Sequence, residues 1–343
     1  MKVEKNASLL HHNTFGIEVV AETLIEYDSE NELEQLLASD NCRSKSLLPV
    51  GAGSNLLFLS DFDGIVLHGT IRFIETVTEN DDYLLLKVGA GTIWDDFVAF
   101  CVQNNYYGAE NLSHIPGETG AAAVQNIGAY GAEVKDIIHE VHTIEIETGK
   151  KQTFAQEACR YAYRQSIFKR ELKGQYIVVA VTFRLEKKEK YNPNYRQSET
   201  HVGQPGQPTL QAVRDAVIDI RRRKLPDPAV EKNAGSFFIN PVVLKKQFDQ
   251  LVQHYPDMPH YHVSDNEEKL SAAWLIDRCG WKGKQLGKVA VHNKQPLVIV
   301  NKGGASGVEI AAFAKQIQSS VEAKFGILLQ PEVDYIAGES KQK

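Results

Sequence analysis

A short glycine-rich stretch, GAGSN at residues 51–55, has the residue types that a phosphate-binding turn needs, and it follows an aliphatic run that is typical of a strand. Gly51 and Gly53 let the backbone turn sharply and bring peptide N–H groups close to a phosphate, because no Cβ stands in the way. Ser54 and Asn55 add side-chain donors. The stretch predicts a phosphate-binding loop, although an ordinary turn at the end of a strand would have a similar composition.

This stretch differs from the GxGxxG fingerprint of Rossmann folds. Leu56 stands where the third glycine would fall. Asp61 and Asp63 are too close to serve as the acidic residue that binds a ribose about 20 residues further on. The sequence therefore disfavours a nicotinamide or flavin cofactor held on a Rossmann fold.

A second stretch, HIPGETGAAAVQNIGAYG at residues 114–131, is rich in glycine and alanine and almost free of charge. Backbone without bulky side chains can lie flat against a planar or phosphorylated ligand. Gln125 and Asn126 can hydrogen-bond a diphosphate or the edge of a ring. The same composition also suits a close contact between a helix and a sheet, and the residues alone leave both interpretations open.

The elements that would position these two stretches form an α+β pattern in the first half of the chain. Aliphatic runs closed by glycine predict strands at 46–50, 64–67 and 83–88. After the last of them, apolar residues recur at helical spacing over 93–101 and predict a helix with one apolar face.

The second half of the chain follows a polar stretch. Residues 186–209 contain almost no aliphatic side chains and repeat proline, glycine and charge, which predicts a linker or mobile loop and a domain boundary. Ser306 and Glu309 have the S-x-x-E spacing of a capping box. Apolar spacing predicts a compact α/β unit made of a helix at 210–223, a helix from Asn266 through Asp277, a strand at 297–300 and a helix from Ser306 that stops at Gly326.

Length and net charge limit the size and the partners of the protein. Its 343 residues suffice for two or three domains. A net charge of −6 gives no overall field to attract nucleic acid. No apolar run reaches the roughly 18 residues of a membrane helix, and the first residues lack the pattern of a signal peptide. Four scattered cysteines indicate neither a disulfide framework nor a thiolate metal site. We expect a cytoplasmic monomer that binds small molecules and neither nucleic acid nor membrane.

The chain resembles one enzyme family, UDP-N-acetylenolpyruvoylglucosamine reductase, because six motifs occur in the order found in that family. They span nearly the whole chain and are LPVGAGSNLL, IPGETGAAAVQNIGAYGAE, YAYRQSIFK, KLPDP, NAGSFFINP and QPEV. NAGSFF with a later PEV is very specific to that family. GAGSN is more widespread among flavoproteins of the vanillyl-alcohol-oxidase type.

The resemblance implies an α+β fold, in which a two-subdomain FAD-binding fold of the vanillyl-alcohol-oxidase (PCMH) type precedes a C-terminal α/β substrate-binding domain. We expect FAD-binding subdomains at 1–72 and 73–207, a substrate-binding domain at 208–329, and a C-terminal strand and tail at 330–343. The family reaction uses bound FAD, with NADPH as co-substrate, to reduce the enolpyruvyl group of a UDP-sugar in peptidoglycan precursor synthesis. Because no second dinucleotide fingerprint is present, we expect NADPH and the UDP-sugar to use one site in turn.

The resemblance assigns the chemistry to three side chains. Hydride addition leaves negative charge spreading into the carboxylate of the substrate, and Arg164 in YAYRQS matches the cation that faces it. Ser236 in NAGSFF matches the proton donor, because a weakly acidic hydroxyl suits a strongly basic carbanion. Glu332 in QPEV matches the acid that polarises or protonates the enolate oxygen. The GxSxG elbow of acyl transfer is absent around Ser236.

The binding residues are carried over from the family motifs position by position. Those for the cofactor are Gly51, Ala52, Gly53, Ser54, Asn55, Pro116, Gly117, Thr119, Gly120, Gln125, Asn126, Gly128, Ala129, Tyr130 and Gly131. Those for the substrate are Lys224 of KLPDP, Asn240 of FFINP, Tyr261, Lys269, Lys282 and, in the polar stretch, Tyr195.

Two groups of residues receive no binding role. Arg221, Arg222 and Arg223 are assigned to the favourable placement of cations at a helix C-terminus. Paired histidines at 139 and 142, and at 260 and 262, have a spacing compatible with a metal, but no cysteine or carboxylate constellation joins them. No metal is expected.

Two other functions remain open at this point. A flavin oxidase of the same fold would pass electrons to oxygen, but it would have no use for Ser236, Glu332 and a nucleotide-binding lysine together. A non-catalytic module that binds flavin or a UDP-sugar could keep GAGSN without the three catalytic residues. The presence of all three favours the reductase.

Overall fold

A computed structural model describes residues 1–188 and 209–338 of the chain. Its strands, in chain order, are β1 (Lys2–Ser8), β2 (Val20–Tyr27), β3 (Leu47–Val50), β4 (Leu56–Phe58), β5 (Phe62–Gly69), β6 (Ile74–Glu79), β7 (Tyr83–Gly89), β8 (Gly128–Ala129), β9 (Ala132–Glu133), β10 (Ile138–Glu145), β11 (Lys151–Ala155), β12 (Tyr176–Glu186), β13 (Lys232–Ser236), β14 (Val242–Leu244), β15 (His260–Ser264), β16 (Glu267–Leu270), β17 (Gln285–Leu286), β18 (Val289–Val291), β19 (Val298–Asn301) and β20 (Asp334–Ile336).

The α-helices of the same residues are α1 (Glu30–Ala38), α2 (Asp40–Arg43), α3 (Trp94–Gln103), α4 (Thr119–Gln125), α5 (Leu210–Lys224), α6 (Lys245–His254), α7 (Ala272–Arg278) and α8 (Gly307–Phe325). Short turns of 3-10 helix lie at Leu10–His12, Glu110–Leu112, Val134–Asp136, Gln156–Cys159 and Ile167–Lys169.

The chain divides into two compact units. The first unit consists of Met1–Ala7, Ala21–Gly53 and Asp63–Arg223, and the second of Ser8–Val20, Ser54–Phe62 and Lys224–Lys343. Each unit draws on segments far apart in the sequence. The boundaries of the four segments expected from the sequence stay a prediction.

Two large sheets and the short hairpin of β8 and β9 form the first unit. One has the strand order β1-β2-β5-β3, in which β3 and β5 are parallel. The other has the order β11-β10-β12-β7-β6 and is antiparallel throughout. Buried Ile65 and Leu67 of the first sheet share a hydrophobic cluster with Ile144, Ile177 and Val179 of the second. This cluster supports the strand whose end leads into GAGSN.

The helix predicted over 93–101 is confirmed as α3. Trp94, Phe97, Val98 and Cys101 are fully buried, as the helical spacing requires. The ring of Phe97 stacks on that of Phe183 with centroids 4.7 Å apart. This aromatic core fixes α3 against β12.

The alanine-rich middle of the second glycine-rich stretch forms the short helix α4. Its buried residues are small, namely Thr119, Gly120, Ala122 and Ala123, and the helix packs on β7 and β12. The composition of this stretch therefore does serve a helix–sheet contact. Ligand binding by the parts before and after α4 stays a prediction.

The second unit contains an antiparallel sheet of order β13-β19-β18-β17, a three-stranded sheet of order β14-β16-β15, and the parallel pair β20 and β4. The last predicted helix is confirmed as α8. Ser306 and Glu309 form the capping box, and Gly326 ends the helix at φ 67°. Its apolar stripe, from Ile310 to Phe325, is buried.

The helix predicted from Asn266 is wrong in its first part. Glu267–Leu270 is the strand β16, where Glu268 and Leu270 are buried and Lys269 is partly exposed, which is the alternation of a strand. The helix begins only at Ala272, because the Ser271 hydroxyl caps it by accepting from the Trp274 N–H at 3.3 Å.

The polar stretch at 186–209 falls mostly outside the described residues. β12 runs to Glu186 and α5 starts at Leu210, so both ends of the stretch agree with the predicted boundary of regular structure. The linker itself stays a prediction. Among the helices of the described residues, none combines the length and the apolar character required to cross a lipid bilayer.

The capping box of α8 leads to a stability prediction. Ser306→Ala removes the hydroxyl that accepts from the Glu309 N–H. We expect it to lower the free energy of unfolding by about 1 kcal/mol. Urea unfolding followed by circular dichroism measures the change, with Ser319→Ala, an exposed serine inside the same helix, as the matched control. Equal unfolding midpoints for the two variants would contradict the assignment.

Candidate active site

The first glycine loop (residues 51–55) leaves β3 beside a buried carboxylate. A Cβ built on Gly51 would lie 2.8 Å from Oε2 of Glu118, so any side chain at this position meets that group. Gly53 adopts φ 67°, which favours glycine. Both glycines of the predicted phosphate-binding turn thus have a structural reason to be glycine.

The far end of the first glycine loop is tied to the strand that follows Glu332. Asn55 is buried, and its Nδ2 donates to the Glu332 carbonyl at 3.1 Å. The Asp334 N–H donates to the Asn55 carbonyl at 3.0 Å, in register with the parallel pairing of β4 and β20. The second unit therefore brings Asn55 next to the backbone of a predicted catalytic residue.

The second glycine segment (residues 114–131) contains an unusual run of left-handed backbone. His114, Asn126 and Tyr130 adopt φ values of 60°, 47° and 50°, and Gly117 and Gly131 are also positive. Residues other than glycine are uncommon there, and such strain concentrates at ligand-binding sites. Asn126 takes this conformation as the C-cap of α4, and Tyr130 with Gly131 forms the turn between β8 and β9, so caps and turns account for these three values.

Asn126 holds the second glycine segment to two neighbouring turns. It is fully buried, its Nδ2 donates to the Ala162 carbonyl at 2.9 Å, and its Oδ1 accepts from the Lys135 N–H at 3.2 Å. Both ends of its amide are therefore used inside the protein. A direct contact of Asn126 with the cofactor remains a prediction.

Arg164 is held by the backbone of the second glycine segment. It has φ 57° in a tight turn closed by reciprocal bonds between Ala162 and Gln165. Its guanidinium donates to the carbonyls of Asn126 at 3.3 Å and Gly128 at 2.6 Å. A Cβ on Gly128 would lie 2.9 Å from Nη1 of Arg164, so this glycine leaves room for the guanidinium.

Helix α5 contributes two arginines that the sequence interpretation did not assign to the site. Arg214 pairs with both oxygens of Asp95 at 2.7 and 2.9 Å, and Asp95 in turn accepts from the His114 N–H. Burial raises the pKa of Asp95, but the bonds from Arg214 and His114 outweigh it and hold that pKa below its usual range. The ion pair anchors the start of the second glycine segment.

Arg221 is the second of these arginines. Its Nε donates to the His114 carbonyl at 3.1 Å, and its guanidinium hydrogen-bonds the Tyr130 hydroxyl. Burial lowers its pKa, whereas Arg222 and Arg223 are exposed at the helix end as expected. The missed signal was spacing: Arg214 and Arg221 each follow a buried apolar residue by four positions on one face of α5.

The NAGSFF motif shapes the chain around Ser236. Buried Asn233 accepts from the Gly235 N–H at 2.8 Å, and the pairing of β13 with β19 is irregular between Asn233 and Ser236. Gly235 takes φ 69°. This bulge turns the strand just before Ser236, and bulges commonly re-aim a side chain next to a binding site.

Glu332 lies beside the strand end that carries Ser236. The Glu332 N–H donates to the Phe237 carbonyl at 2.8 Å, and the Ile239 N–H donates to the Gln330 carbonyl at 3.0 Å. The second unit thus brings together Ser236, Glu332 and Asn55 through backbone pairing. Arg164 belongs to the first unit.

Two of the five predicted substrate residues of the second unit lie on one sheet, and a third borders it. Tyr261 and Lys269 are cross-strand partners in β15 and β16, with Nζ 5.4 Å from the Tyr261 ring centre. Asn240 accepts from the Ala272 N–H at 3.0 Å, next to the end of β16. Lys224 and Lys282 are exposed, and Lys282 is 3.7 Å from Asp277.

The remaining predicted site residues differ in exposure. Thr119 is fully buried and its hydroxyl donates to the Thr92 carbonyl at 3.0 Å. Pro116 is exposed, and the Gly117 carbonyl accepts from the Trp94 N–H. Partly exposed positions are Ala52, Ser54, Gln125 and Ala129. Tyr195 lies outside the described residues, so its predicted role stays a prediction.

Comparison with known proteins agrees with these motifs. A family model described as the UDP-N-acetylenolpyruvoylglucosamine reductase C-terminal domain matches residues 227–336, and one described as an FAD binding domain matches residues 21–154. The latter range covers both glycine-rich stretches. The predicted fold class, an α+β FAD-binding fold with a further C-terminal domain, is therefore confirmed.

Full-length relatives carry the same description. UDP-N-acetylenolpyruvoylglucosamine reductase of Bacteroides fragilis (strain YCH46) is 51% identical over 97% of this chain and 100% of its own length. That of Porphyromonas gingivalis (strain W83) is 45% identical over 98% and 100%. The crystal structure of UDP-N-acetylenolpyruvylglucosamine reductase from Thermus caldophilus has the same fold, with a TM-score of 0.68 at 23% identity over 98% of this chain and 99% of that one. The chain thus belongs to the UDP-N-acetylenolpyruvoylglucosamine reductase family.

Proposed function

We propose that the protein reduces the enolpyruvyl group of UDP-N-acetylenolpyruvoylglucosamine with NADPH, through bound FAD, and so makes UDP-N-acetylmuramate for peptidoglycan synthesis. The observation that carries this proposal is the 51% identity, over 97% of the chain, to a reductase of that name. The substrate and NADPH are small anionic molecules. We further propose that they use one site in turn and that the enzyme acts as a cytoplasmic monomer.

The residues of the first unit fit FAD. The left-handed backbone of the second glycine segment and the absence of a side chain at Gly51 suit a ligand that approaches the main chain closely. The guanidinium groups of Arg164 and Arg221 both bond this segment and add positive charge for a dinucleotide. When bound, FAD supplies the hydride transfer from NADPH to the enolpyruvyl carbon.

Arg164 is proposed to face the substrate carboxylate. Its guanidinium is held by the carbonyls of Asn126 and Gly128, so its orientation is set before the substrate binds. A guanidinium remains charged and can bind two carboxylate oxygens at once. It would stabilise the charge that spreads into the carboxylate as the reaction proceeds.

Ser236 and Glu332 are proposed to manage the proton. Ser236 donates its hydroxyl proton to the carbon next to the carboxylate, and Glu332 polarises or protonates the enolate oxygen. The bond between the Glu332 N–H and the Phe237 carbonyl supports this pairing, because it keeps the two residues' main chains together. Lys224, Asn240, Tyr195, Tyr261, Lys269 and Lys282 are proposed to bind the nucleotide sugar.

A spectrum of the purified protein tests the function. The reductase should show flavin absorbance that NADPH bleaches under nitrogen and that the enolpyruvyl UDP-sugar restores. A flavin oxidase would regain its absorbance with oxygen alone at a catalytic rate and ignore the UDP-sugar. A non-catalytic module would show no bleaching. Either of the last two results would overturn the proposal.

Ser236→Ala tests the proton donor. We expect bleaching by NADPH to keep its rate, while restoration by the enolpyruvyl substrate slows by about 10²- to 10⁴-fold, because only that half-reaction needs the proton. Stopped-flow absorbance measures both rates, and Ser319→Ala serves as the control. Equal losses in the two half-reactions would show that Ser236 has another role.

Arg164→Lys tests the cation. Lysine keeps the charge but loses the planar pair of donors, so restoration by substrate should slow by about 10- to 100-fold while bleaching by NADPH changes little. The same stopped-flow experiment gives both numbers. If the variant behaves like the unmodified enzyme, the substrate carboxylate is held elsewhere.

Gly128→Ala tests whether the position of Arg164 matters. The added methyl would lie 2.7 Å from the Ala132 carbonyl and 2.9 Å from Nη1 of Arg164, so the guanidinium must move. Restoration by substrate, per bound FAD, should slow by about tenfold. Gly149→Ala is the control for backbone strain alone, since Gly149 takes φ 70° and its methyl would meet nothing within 4 Å, Arg164 included. If restoration by substrate keeps its rate in Gly128→Ala, that rate does not depend on the position of the Arg164 guanidinium.

A further inference from the structure

A largely buried histidine lies between two carboxylates next to the first glycine loop. His68 of β5 has a side chain that is 12% exposed. Its Nε2 lies 3.2 Å from Oε1 of Glu118, whose side chain is 5% exposed, and its Nδ1 lies 3.3 Å from Oε1 of Glu26. A neutral imidazole has only one N–H, and an ionised carboxylate only accepts hydrogen bonds. Both contacts are hydrogen bonds only when the ring carries two protons.

This group of three side chains touches both stretches assigned to the cofactor. Glu118 belongs to the second glycine segment, and its Oε2 lies 2.8 Å from the Cβ position of Gly51. His68 is the register partner of Val50, the residue just before the first glycine loop. A change of charge on His68 therefore changes the electrostatic potential where the diphosphate would bind.

We propose that protonated His68 offsets the charge of Glu118 and Glu26 beneath the first glycine loop, and so acts as a positioning residue that makes FAD binding tighter at lower pH. This inference rests on the proposed function, because it takes the first glycine loop as the site of the FAD diphosphate. With His68 neutral, two carboxylates would stand uncompensated near a ligand that is itself an anion.

The other groups around His68 agree with this role. Lys2 of β1 reaches Glu26 at 3.5 Å but is 68% exposed, so solvent weakens its contribution. Tyr27 of β2 is buried, and burial together with the charge of Glu118 raises its pKa, so it stays neutral. His68 is thus the group of this cluster that changes charge near neutral pH.

The direction of the pH effect follows from linkage. The hydrogen bond to Glu118 raises the pKa of His68 above its ordinary 6.5, against the opposing effect of burial. Stability from this group is fully present below about pH 6.5 and is lost as pH rises through the raised pKa. If FAD binds more tightly when His68 is protonated, the affinity for FAD should fall as pH rises through the raised pKa of His68.

The test is the affinity of the protein for FAD as a function of pH. Flavin fluorescence recovered on dilution of the FAD-loaded protein gives the dissociation constant between about pH 6 and pH 9. We expect the unmodified protein to lose on the order of tenfold in affinity across this range. His68→Gln should bind FAD weakly at every pH, and His68→Lys should bind it with little pH dependence. His142→Gln, a half-buried histidine of the same unit, should keep the unmodified profile.

Glu118→Gln distinguishes charge from mere packing. If the role of His68 is to offset that carboxylate, Glu118→Gln should restore FAD binding to His68→Gln, and the double variant should bind more tightly than His68→Gln alone. Additive losses of FAD affinity in the double variant would overturn the inference, and so would a pH profile shared by His68→Gln and the unmodified protein. Neither result would overturn the proposed binding of FAD.

A measurement on the unmodified chain covers the case in which these variants do not fold. NMR titration of labelled histidine should show the His68 pKa rise when FAD is added, because linkage is reciprocal. An unchanged His68 pKa would overturn the inference. A protein that binds no FAD at any pH would instead overturn the proposed function together with it.

Discussion

The backbone of Phe237 is the anchor on which the second unit depends. Its N–H donates to the Leu297 carbonyl at 2.7 Å, its carbonyl accepts from Glu332, and its side chain is fully buried. One residue therefore joins the sheet of β19 to the segment before β20. Because Ser236 precedes it directly, a proposed proton donor is positioned by main-chain bonds, which vary less than side-chain contacts.

The backbone of the first unit also positions a proposed catalytic side chain. Tyr130 and Arg164 take left-handed backbone, at a cost of about 1–3 kcal/mol each, whereas Asn126 takes it as the C-cap of α4. Hydrogen bonds from Asn126 to neighbouring turns and from Arg164 to Gly128 offset that cost. The result is a guanidinium oriented by the same segment that is proposed to hold the cofactor.

Motifs and strong periodicity were readable from the sequence, whereas contacts between distant segments were not. The apolar stripes of α3 and α8 have helical spacing over about two and a half turns or more, so local pattern and final structure agree. Glu267–Leu270 is too short for periodicity to decide, and its pairing with β14 and β15 made it a strand. The pair of His68 with Glu118 joins residues that are 50 positions apart in sequence, which no local pattern reports. Spacing along α5 indicates the helix face that Arg221 occupies, but not its partner His114, which is 107 positions away.

The parallel pairing of β4 with β20 also bears on how the polypeptide matures. Residues 56–58 leave the ribosome early, yet their strand partner at 334–336 is synthesised 278 residues later, and the segment 54–62 belongs to the second unit. Asn55, at the end of the first glycine loop, gains its bonds to Glu332 and Asp334 only then. During biosynthesis, the loop proposed to hold the flavin diphosphate therefore reaches its final hydrogen bonds only after almost all of the chain has been translated.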